Sequence, residues 1–389
     1  FGVCGGCQFQ FMPYEEQLKL KLQQVIDSFE RIGKIYNPPV SEIIGCKETY
    51  YYRNKMEFSF GYDEKMNFAL GMHLPGRRYD ILDLKECYLQ SELSVKIVNW
   101  VREFAKSTGW PVFKPSSNEG FWKALYIREG RRTGEVMVNL VTTDQIPAGA
   151  EKELGEMVRV LLEVDGGVSG GGAELDSEDA VGDDGGGKKI VSIVWSKVIN
   201  RKGFTKQIKE SVLYGKHAIS EKMIMENGDE LSFDILPQAF FQVNTLQAEI
   251  LYSQVLKFAS NKPHNMVFDL FCGTGTIGLF LAQHVERVLG IELNEEAVRA
   301  ARANAEKNKI FNIDFYQGDV VKVLYDVRER PSLIVIDPPR AGLTEKLIAK
   351  ISNFGASDII YVSCNQSTLA RDANWLQDYG YKLKKVQPV

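Results

Sequence analysis

DLFCGTGTIGL, residues 269–279, decides the fold. The apolar run MVFDLF (266–271) leads into a turn holding Gly273 and Gly275, and a helix-forming run follows. Strand, glycine turn and helix in that order open a parallel α/β unit, because glycine lets the backbone approach a ligand closely. Four more short apolar strands come after it: RVLGIE (287–292), IDFYQGD (313–319), LIVID (333–337) and IIYVSC (359–364). Segments of helical composition separate them, such as NEEAVRAARANAEKNK (294–309). Regular alternation of this kind predicts a doubly wound, mostly parallel sheet over residues 239–389. KLKKVQPV (382–389) reads as one more strand.

Upstream the pattern differs. NKMEFSFGYDEKMNFALGMH (54–73) reads as a hairpin, and ALYIREGRRTGEVMVNLVT (124–142) as another across Glu129–Gly134. Residues 46–238 are therefore expected to form an α+β domain on antiparallel sheet. Before it, Leu18, Leu22, Val25, Phe29 and Ile32 recur at helical spacing and Gly33 closes the run. This helix, within 13–45, is expected to pack on the C-terminal half. Residues 1–12 form a separate cysteine- and glycine-rich segment.

At 389 residues and 44% hydrophobic the chain can bury a large core and divides into more than one domain. No apolar run approaches the roughly 20 residues of a membrane-spanning helix. The start, FGVCGGCQFQ, carries no signal-peptide pattern. Six cysteines are too sparse for a disulfide scaffold, which points to a reducing compartment, cytoplasmic or organellar. The net charge of −4 is skewed by residues 163–187, which hold eight of the 51 acidic residues and no basic ones. That Gly/Asp/Glu tract lacks the apolar content to pack and reads as a disordered insertion. The remainder is mildly basic, which permits RNA binding.

Glu292 ends the second strand 23 positions beyond Asp269, where a carboxylate can hold two ribose hydroxyls. Gly278 completes a G-x-G-x-x-G, so a nicotinamide site and a plain βα turn both stay open on this motif. Asp269 before the glycines and Gly318-Asp319 after the third strand suit S-adenosylmethionine, with Asp319 at the adenine amine. IDPPR (336–340) ends the fourth strand with two stiffening prolines, which brings Asp337 to the carboxyl edge. Amino-group methyltransferases carry a related loop followed by an aromatic residue; here Arg340 follows. YVSCNQSTLARD (361–372) then puts Cys364 at the end of the next strand, on the same edge. A buried core thiol is the plain reading of a free cysteine. Beside cofactor motifs it becomes a nucleophile, because a thiolate adding to carbon 6 of uracil makes carbon 5 an attacking enolate.

FFQVN (240–244), DLFCGTGTIGL, DPPRAG and SCNQSTLARD, in this order and spacing, resemble the RNA uracil-5-methyltransferases of the RumA/TrmA type over nearly the whole chain. The resemblance implies a Rossmann-like class I methyltransferase domain making 5-methyluridine from S-adenosylmethionine. It implies that Gln242, Phe271, Thr276, Glu292, Asp319 and Asp337 meet the cofactor around the Gly273–Gly275 turn. Cys364 is the implied nucleophile, and Asp337 positions uracil or cofactor. Relatives usually carry proline where Gln366 stands. Their proton-accepting glutamate lies in a segment like FPxTxHxE, expected beyond Val389, so 239–389 is read as C-terminally incomplete.

C-G-G-C at 4–7 with Cys87 resembles the 4Fe-4S site of the rRNA branch, whose first ligand would fall before Phe1. By itself the pair could equally be zinc or redox cysteines. The cluster resemblance favours rRNA over tRNA. Tyr52, Arg53 and Lys55, in TYYYRNKMEF (49–58), combine aromatic faces and cations suited to unpaired bases, against a plain tyrosine-rich strand. Arg77, Arg78 and the REGRR run (128–132) are read either as phosphate contacts or as exposed hairpin charge. The expected partner is RNA, with no membrane and a monomeric chain. Base-amine methylation and a non-catalytic RNA-binding or folding factor are the competing functions.

Overall fold

A computed structural model describes residues 2–77, 79–165, 187–201, 203 and 207–389. The chain opens with helix α1 (Tyr14–Arg31), then β1 (Lys55–Tyr62), β2 (Phe68–His73), β3 (Ile81–Asp83) and α2 (Glu92–Ser107). It continues through β4 (Trp122–Glu129), β5 (Glu135–Thr143), α3 (Ala150–Asp165), β6 (Lys189–Ile199) and β7 (Gln207–Gly215). These strands form a seven-stranded sheet in the order β3-β2-β1-β4-β5-β6-β7. Met56, Phe58 and Phe60 alternate inward along β1, as the period of two requires. They share a core with Ile97, Val98 and Val101 of α2 and Leu154, Met157 and Leu161 of α3.

The sheet is antiparallel except between β5 and β6. There α3 carries the chain back before β6 begins, so the two strands run the same way, which a hairpin cannot achieve. The acidic tract begins at the end of α3, and its residues 166–186 lie outside the described residues.

A separate hairpin follows, β8 (Ile219–Ile224) with β9 (Glu230–Ile235). Ile219, Met223 and Phe233 from it are buried in one cluster with Val267, Leu279 and Phe280, so the hairpin packs on the C-terminal half. Helix α4 (Thr245–Ala259) leads into β10 (Met266–Leu270), α5 (Thr276–Ala282), β11 (Arg287–Glu292), α6 (Glu295–Lys307) and β12 (Ile313–Gln317). Then come α7 (Val320–Asp326), β13 (Leu333–Ile336), α8 (Glu345–Ser352), β14 (Asp358–Tyr361) and α9 (Gln366–Gln377). All five strands are parallel in the order β12-β11-β10-β13-β14. The strand order reverses at β10, and ligands bind beyond the carboxyl ends at such a point.

Helix α1 packs on α9, with Phe29 fully buried beside Ala370 and Val386. Gly33 permits the approach: a Cβ there would lie 2.7 Å from the Ala370 carbonyl oxygen. Ile32, placed on the apolar face by its spacing, is instead 46% exposed, at the C-cap of the helix where packing against α9 runs out. The strand expected at 382–389 does not join the sheet. Val386 pairs with Val40, donating to the Pro39 carbonyl at 2.9 Å and accepting from Ser41 at 2.9 Å. Among the described residues no helix is long and apolar enough to cross a membrane.

The α1–α9 seam can be tested in urea. Phe29→Ala should lower unfolding free energy by about 3–5 kcal/mol, the usual cost of emptying a buried phenylalanine site. Ile32→Ala should stay within about 0.5 kcal/mol, as an exposed substitution does.

Candidate functional site

The carboxyl ends of the parallel strands open into a cavity of about 1350 Å³. Small-molecule pockets usually run to roughly 300–1,000 Å³, so a cofactor and part of a second reactant fit together.

Asp269 forms the floor. It is wholly buried on β10, and its Oδ2 accepts the Gly278 amide at 2.8 Å, pinning the start of α5 to the strand. Among the described residues its Oδ1 has no hydrogen-bond partner. Burial pushes its pKa up to about 7, with the Asp337 and Glu292 charges adding to the rise and the Gly278 amide opposing it. Between strand and helix the chain turns sharply. Phe271 sits at φ +64° and Gly273 at +54°. A phenylalanine in that left-handed region costs about 1–2 kcal/mol, a local strain held by its surroundings. Gly275, at φ +81°, precedes α5, and a Cβ there would lie 2.8 Å from the Phe315 ring. Gly275 therefore shapes the turn without itself lining the cavity.

Glu292 ends β11. Its Oε2 accepts the Gly273 amide at 3.1 Å and its Oε1 accepts the Asn294 amide at 2.8 Å, leaving lone pairs for further donors. Asp319 caps α7, accepting the Lys322 amide at 3.1 Å. Asp337 follows β13 and donates its amide to Leu270 at 3.2 Å; burial pushes its carboxyl up to about 6. Cys364, exposed, lies in the loop between β14 and α9. Asn365 caps α9 by accepting the Ser367 amide at 3.0 Å, and its Nδ2 donates to the Arg340 carbonyl at 3.1 Å. That bond ties the Cys364 loop to the proline loop. The one cavity is thus lined by Gln242, Phe271, Gly273, Thr276, Glu292, Asp319, Asp337 and Cys364.

Three wall residues carried no signal in the sequence. Tyr252 reads as an ordinary apolar position of α4, yet it is buried against the cavity and hydrogen-bonds the Gln242 side chain. Glu210 and His217, from β7 and the loop after it, bond each other at 2.6 Å on the opposite wall. Glu210 and His217 lie before the last 150 residues, where no spacing pattern of the α/β half reaches.

Tyr52, Arg53 and Lys55 do not line the cavity. Tyr52 is half-buried, and Cys7, Cys46 and Tyr14 all contribute to raising its pKa after burial. Arg53 donates Nε to the Lys55 carbonyl at 3.0 Å, while Lys55 pairs with Glu57 at 2.5 Å. The exposed tyrosines of this segment are Tyr50 and Tyr51, each meeting Tyr88 edge-on with centroids 6.3 and 6.1 Å apart.

The REGRR run is neither a phosphate contact nor exposed charge. Arg128 is 3% exposed and bonds main-chain carbonyls, Arg131 pairs with Glu48, and Arg132 grips Glu249 through two bonds at 3.0 and 2.8 Å. The turn packs on β8 and α4, where Glu221 and Glu249 lie in wait for it. Arg77 pairs with Glu64 and Asp80, and Arg78 lies outside the described residues.

All six cysteines are free. Burial raises the Cys7 thiol, and Cys4 and Cys87 add to the rise, so thiols eighty positions apart lie within electrostatic reach. Among the described residues no group of three or more His, Cys, Asp or Glu side chains is arranged to hold a metal ion. Cys46 donates its thiol to the Glu48 carbonyl at 3.0 Å, and burial raises Cys272 well above the usual thiol range.

A parallel sheet in this order, with a glycine turn and acidic strand ends around the cavity, defines a Rossmann-like fold built to hold a nucleoside cofactor at its switch point. A family model described as tRNA (uracil-5-)-methyltransferase matches residues 196–386. An uncharacterized RNA methyltransferase of Clostridium acetobutylicum is 36% identical over 390 aligned residues, covering all of this chain and 79% of its own. Another from Bacteroides thetaiotaomicron is 35% identical, covering all of this chain and 83% of its own. The crystal structure of Pyrococcus abyssi tRNA (uracil-54, C5)-methyltransferase with S-adenosyl-L-homocysteine superposes with a TM-score of 0.71 at 25% identity, over 96% of this chain and 78% of that one. The chain belongs to the S-adenosylmethionine-dependent RNA uracil-5-methyltransferase family.

The buried acids make an unusual stability profile. Asp269 and Asp337 both bind protons more tightly folded than unfolded, so their contribution is full below the unfolded value of 3.8, falls above it, and is lost as pH rises through about 6 and 7. Urea unfolding at pH 5 and pH 8 should therefore show Asp337→Asn flattening this fall by on the order of 2 kcal/mol. An unchanged pH slope in that variant would contradict the assignment.

Proposed function

We propose that this protein methylates carbon 5 of a uridine through a covalent adduct between Cys364 and carbon 6. The observation that carries the reading is the exposed Cys364 thiol opening into the same cavity as Phe271, Glu292, Asp319 and Asp337. In this mechanism the thiolate adds to carbon 6 and the electrons move into an enolate across carbon 5 and oxygen 4. Carbon 5 takes the sulfonium methyl, leaving S-adenosylhomocysteine. A carboxylate then removes the carbon 5 proton, and the thiolate leaves as the 5,6 double bond re-forms. Asp337, pushed up to about 6, is a carboxylate of this cavity suited to accept that proton. Glu292 and Asp319 bind the ribose and adenine, and Gln242 and Phe271 complete the cofactor side.

The proposed substrate is ribosomal RNA, read from the C-G-G-C motif and Cys87. A tRNA substrate is the second reading, favoured by the description of the matching family model and by the activity of the Pyrococcus enzyme. The domain scheme goes with this reading: 46–238 engages RNA, including Tyr52, Arg53 and Lys55, while 239–389 binds cofactor.

RNA carrying 5-fluorouridine separates the competing functions, because only a carbon 6 nucleophile gives a stable adduct. The wild-type chain should shift covalently on rRNA or tRNA transcripts so substituted. Cys364→Ser should lose methyl transfer by at least a thousand-fold while still binding S-adenosylhomocysteine, since removing a nucleophile acts on the transition state. Turnover near the wild-type level in that variant rules out the covalent route. Methylated adduct that accumulates without release would show that Asp337 does not take the carbon 5 proton.

For the metal we propose that Cys4, Cys7 and Cys87 supply three thiolates to a 4Fe-4S cluster, drawn together on binding. No step of methyl transfer runs through it. Anaerobically purified protein should then carry iron and acid-labile sulfide in equal amounts, both abolished by Cys87→Ala; iron-free protein of normal stability would reject the cluster.

A further inference from the structure

The REGRR run has a use other than holding phosphates. Arg128 lies on β4 of the seven-stranded sheet, almost wholly buried. Among the described residues its hydrogen-bond partners are two main-chain carbonyls. Nε donates to Pro237 at 3.2 Å and Nη2 donates to Ala239. Burial lowers its pKa to about 10, against the pull of the Glu57 charge, so it remains protonated at neutral pH. A buried cation without a carboxylate partner is costly, and a position serving packing alone would be apolar, like its neighbour Ile127.

Those carbonyls flank Gln238 in the connection between β9 and α4. This strip is a wall of the cavity, where Gln238, Phe240 and Gln242 face inward. The same sheet grips its other end. Asn54, just before β1, donates Nδ2 to the Gln242 carbonyl at 2.8 Å and its amide to the Val243 carbonyl at 2.8 Å. The Asn54 carbonyl in turn accepts the Glu129 amide at 2.8 Å, so the two grips come from paired neighbours. Between them Phe240 stands 72% exposed, with little packing of its own to orient it.

We infer that Arg128 is a positioning residue: with Asn54 it clamps the backbone of 237–243 so that Phe240 meets the target nucleotide while Gln242 meets the cofactor in the same cavity. The inference rests on the uridine-methylation reading for the identity of that nucleotide. The clamp itself makes the seven-stranded sheet a part of the reaction geometry. A displacement of about 1 Å at a reacting pair can cost a hundred-fold in rate, which gives a remote guanidinium this leverage.

Two variants and two readouts test it. In Arg128→Met, amide hydrogen exchange across 237–243 should quicken at least ten-fold while β10 and β13 keep their protection. At saturating S-adenosylmethionine and RNA, kcat should fall at least ten-fold with KM for RNA moving less than three-fold. Arg128→Lys keeps the charge and an ammonium whose donors can still reach one of the two carbonyls, and should restore kcat to within three-fold of wild type. Unchanged exchange in the loop, or faster exchange spread equally through β10 and β13, overturns the clamp. So does an Arg128→Lys variant as slow as Arg128→Met. If Arg128→Met does not fold, the lysine variant decides alone: loop exchange as slow as wild type with kcat down ten-fold would refute it. A wild-type chain that methylates no uridine defeats the functional reading instead, and the exchange measurement still judges the clamp.

Discussion

One buried hydrogen bond, from the Gly278 amide to Asp269 Oδ2 at 2.8 Å, underlies the site. It fastens the first turn of α5 to the end of β10 and leaves the intervening chain a single compact path. Along that path Phe271 accepts a left-handed backbone and the Gly273 amide is turned towards Glu292. The bond is made by a carboxylate taken wholly out of water, so the protein bears a desolvation cost at the centre of its binding crevice. A cationic ligand arriving above Asp269 and Asp337 would shift both raised acids towards their ionised forms and be held by them.

Parallel topology does the rest of the gathering. Every strand of such a sheet ends on the same edge, so residues scattered over nearly a hundred positions arrive together. Phe271 after β10, Glu292 at the end of β11, Asp319 after β12, Asp337 after β13 and Cys364 after β14 all open on one crevice. The mixed sheet supplies the opposite wall through Glu210, His217 and the strip held by Arg128. Neither half encloses the cavity alone. The interface between them is built of a part-buried ion pair and a carbonyl-bound guanidinium, with Arg132 bridging to Glu249, Arg128 to Pro237 and Ala239, and Asn54 to Thr245 and Gln242. Groups of this kind contribute little net stability but demand one geometry, which suits a boundary that must hold a reacting pair in register.

The N-terminal segments lie near this boundary. Tyr52 and Arg53 stand next in sequence to Asn54 and within electrostatic reach of Cys7, so the cysteine-rich start, the tyrosine segment and the cavity strip form one physical neighbourhood. Helix α1 instead docks on α9, behind the Cys364 loop, with Phe29 as its anchor.

How much of this could be read from residues alone depends on the range of the interaction. Strand, glycine turn and helix are local, set by apolar runs of four to six residues and by positive φ at glycine, so the five strands and their acidic or thiol-bearing ends were legible before any coordinates. The order of chemistry along one edge followed from topology, which alternation dictates. What sequence could not determine was the fate of charge. REGRR looks like a cationic hairpin tip, and only tertiary packing decided that Arg128, Arg131 and Arg132 turn inward to partners roughly ninety or more positions away or upstream at Glu48. The same holds for Tyr252, for the Glu210–His217 pair, for the parallel β5–β6 crossover and for Val386 leaving the sheet to pair with Val40. Each depends on which distant surface comes to lie alongside, and side-chain chemistry gives no preference between water and a partner until burial has removed the water.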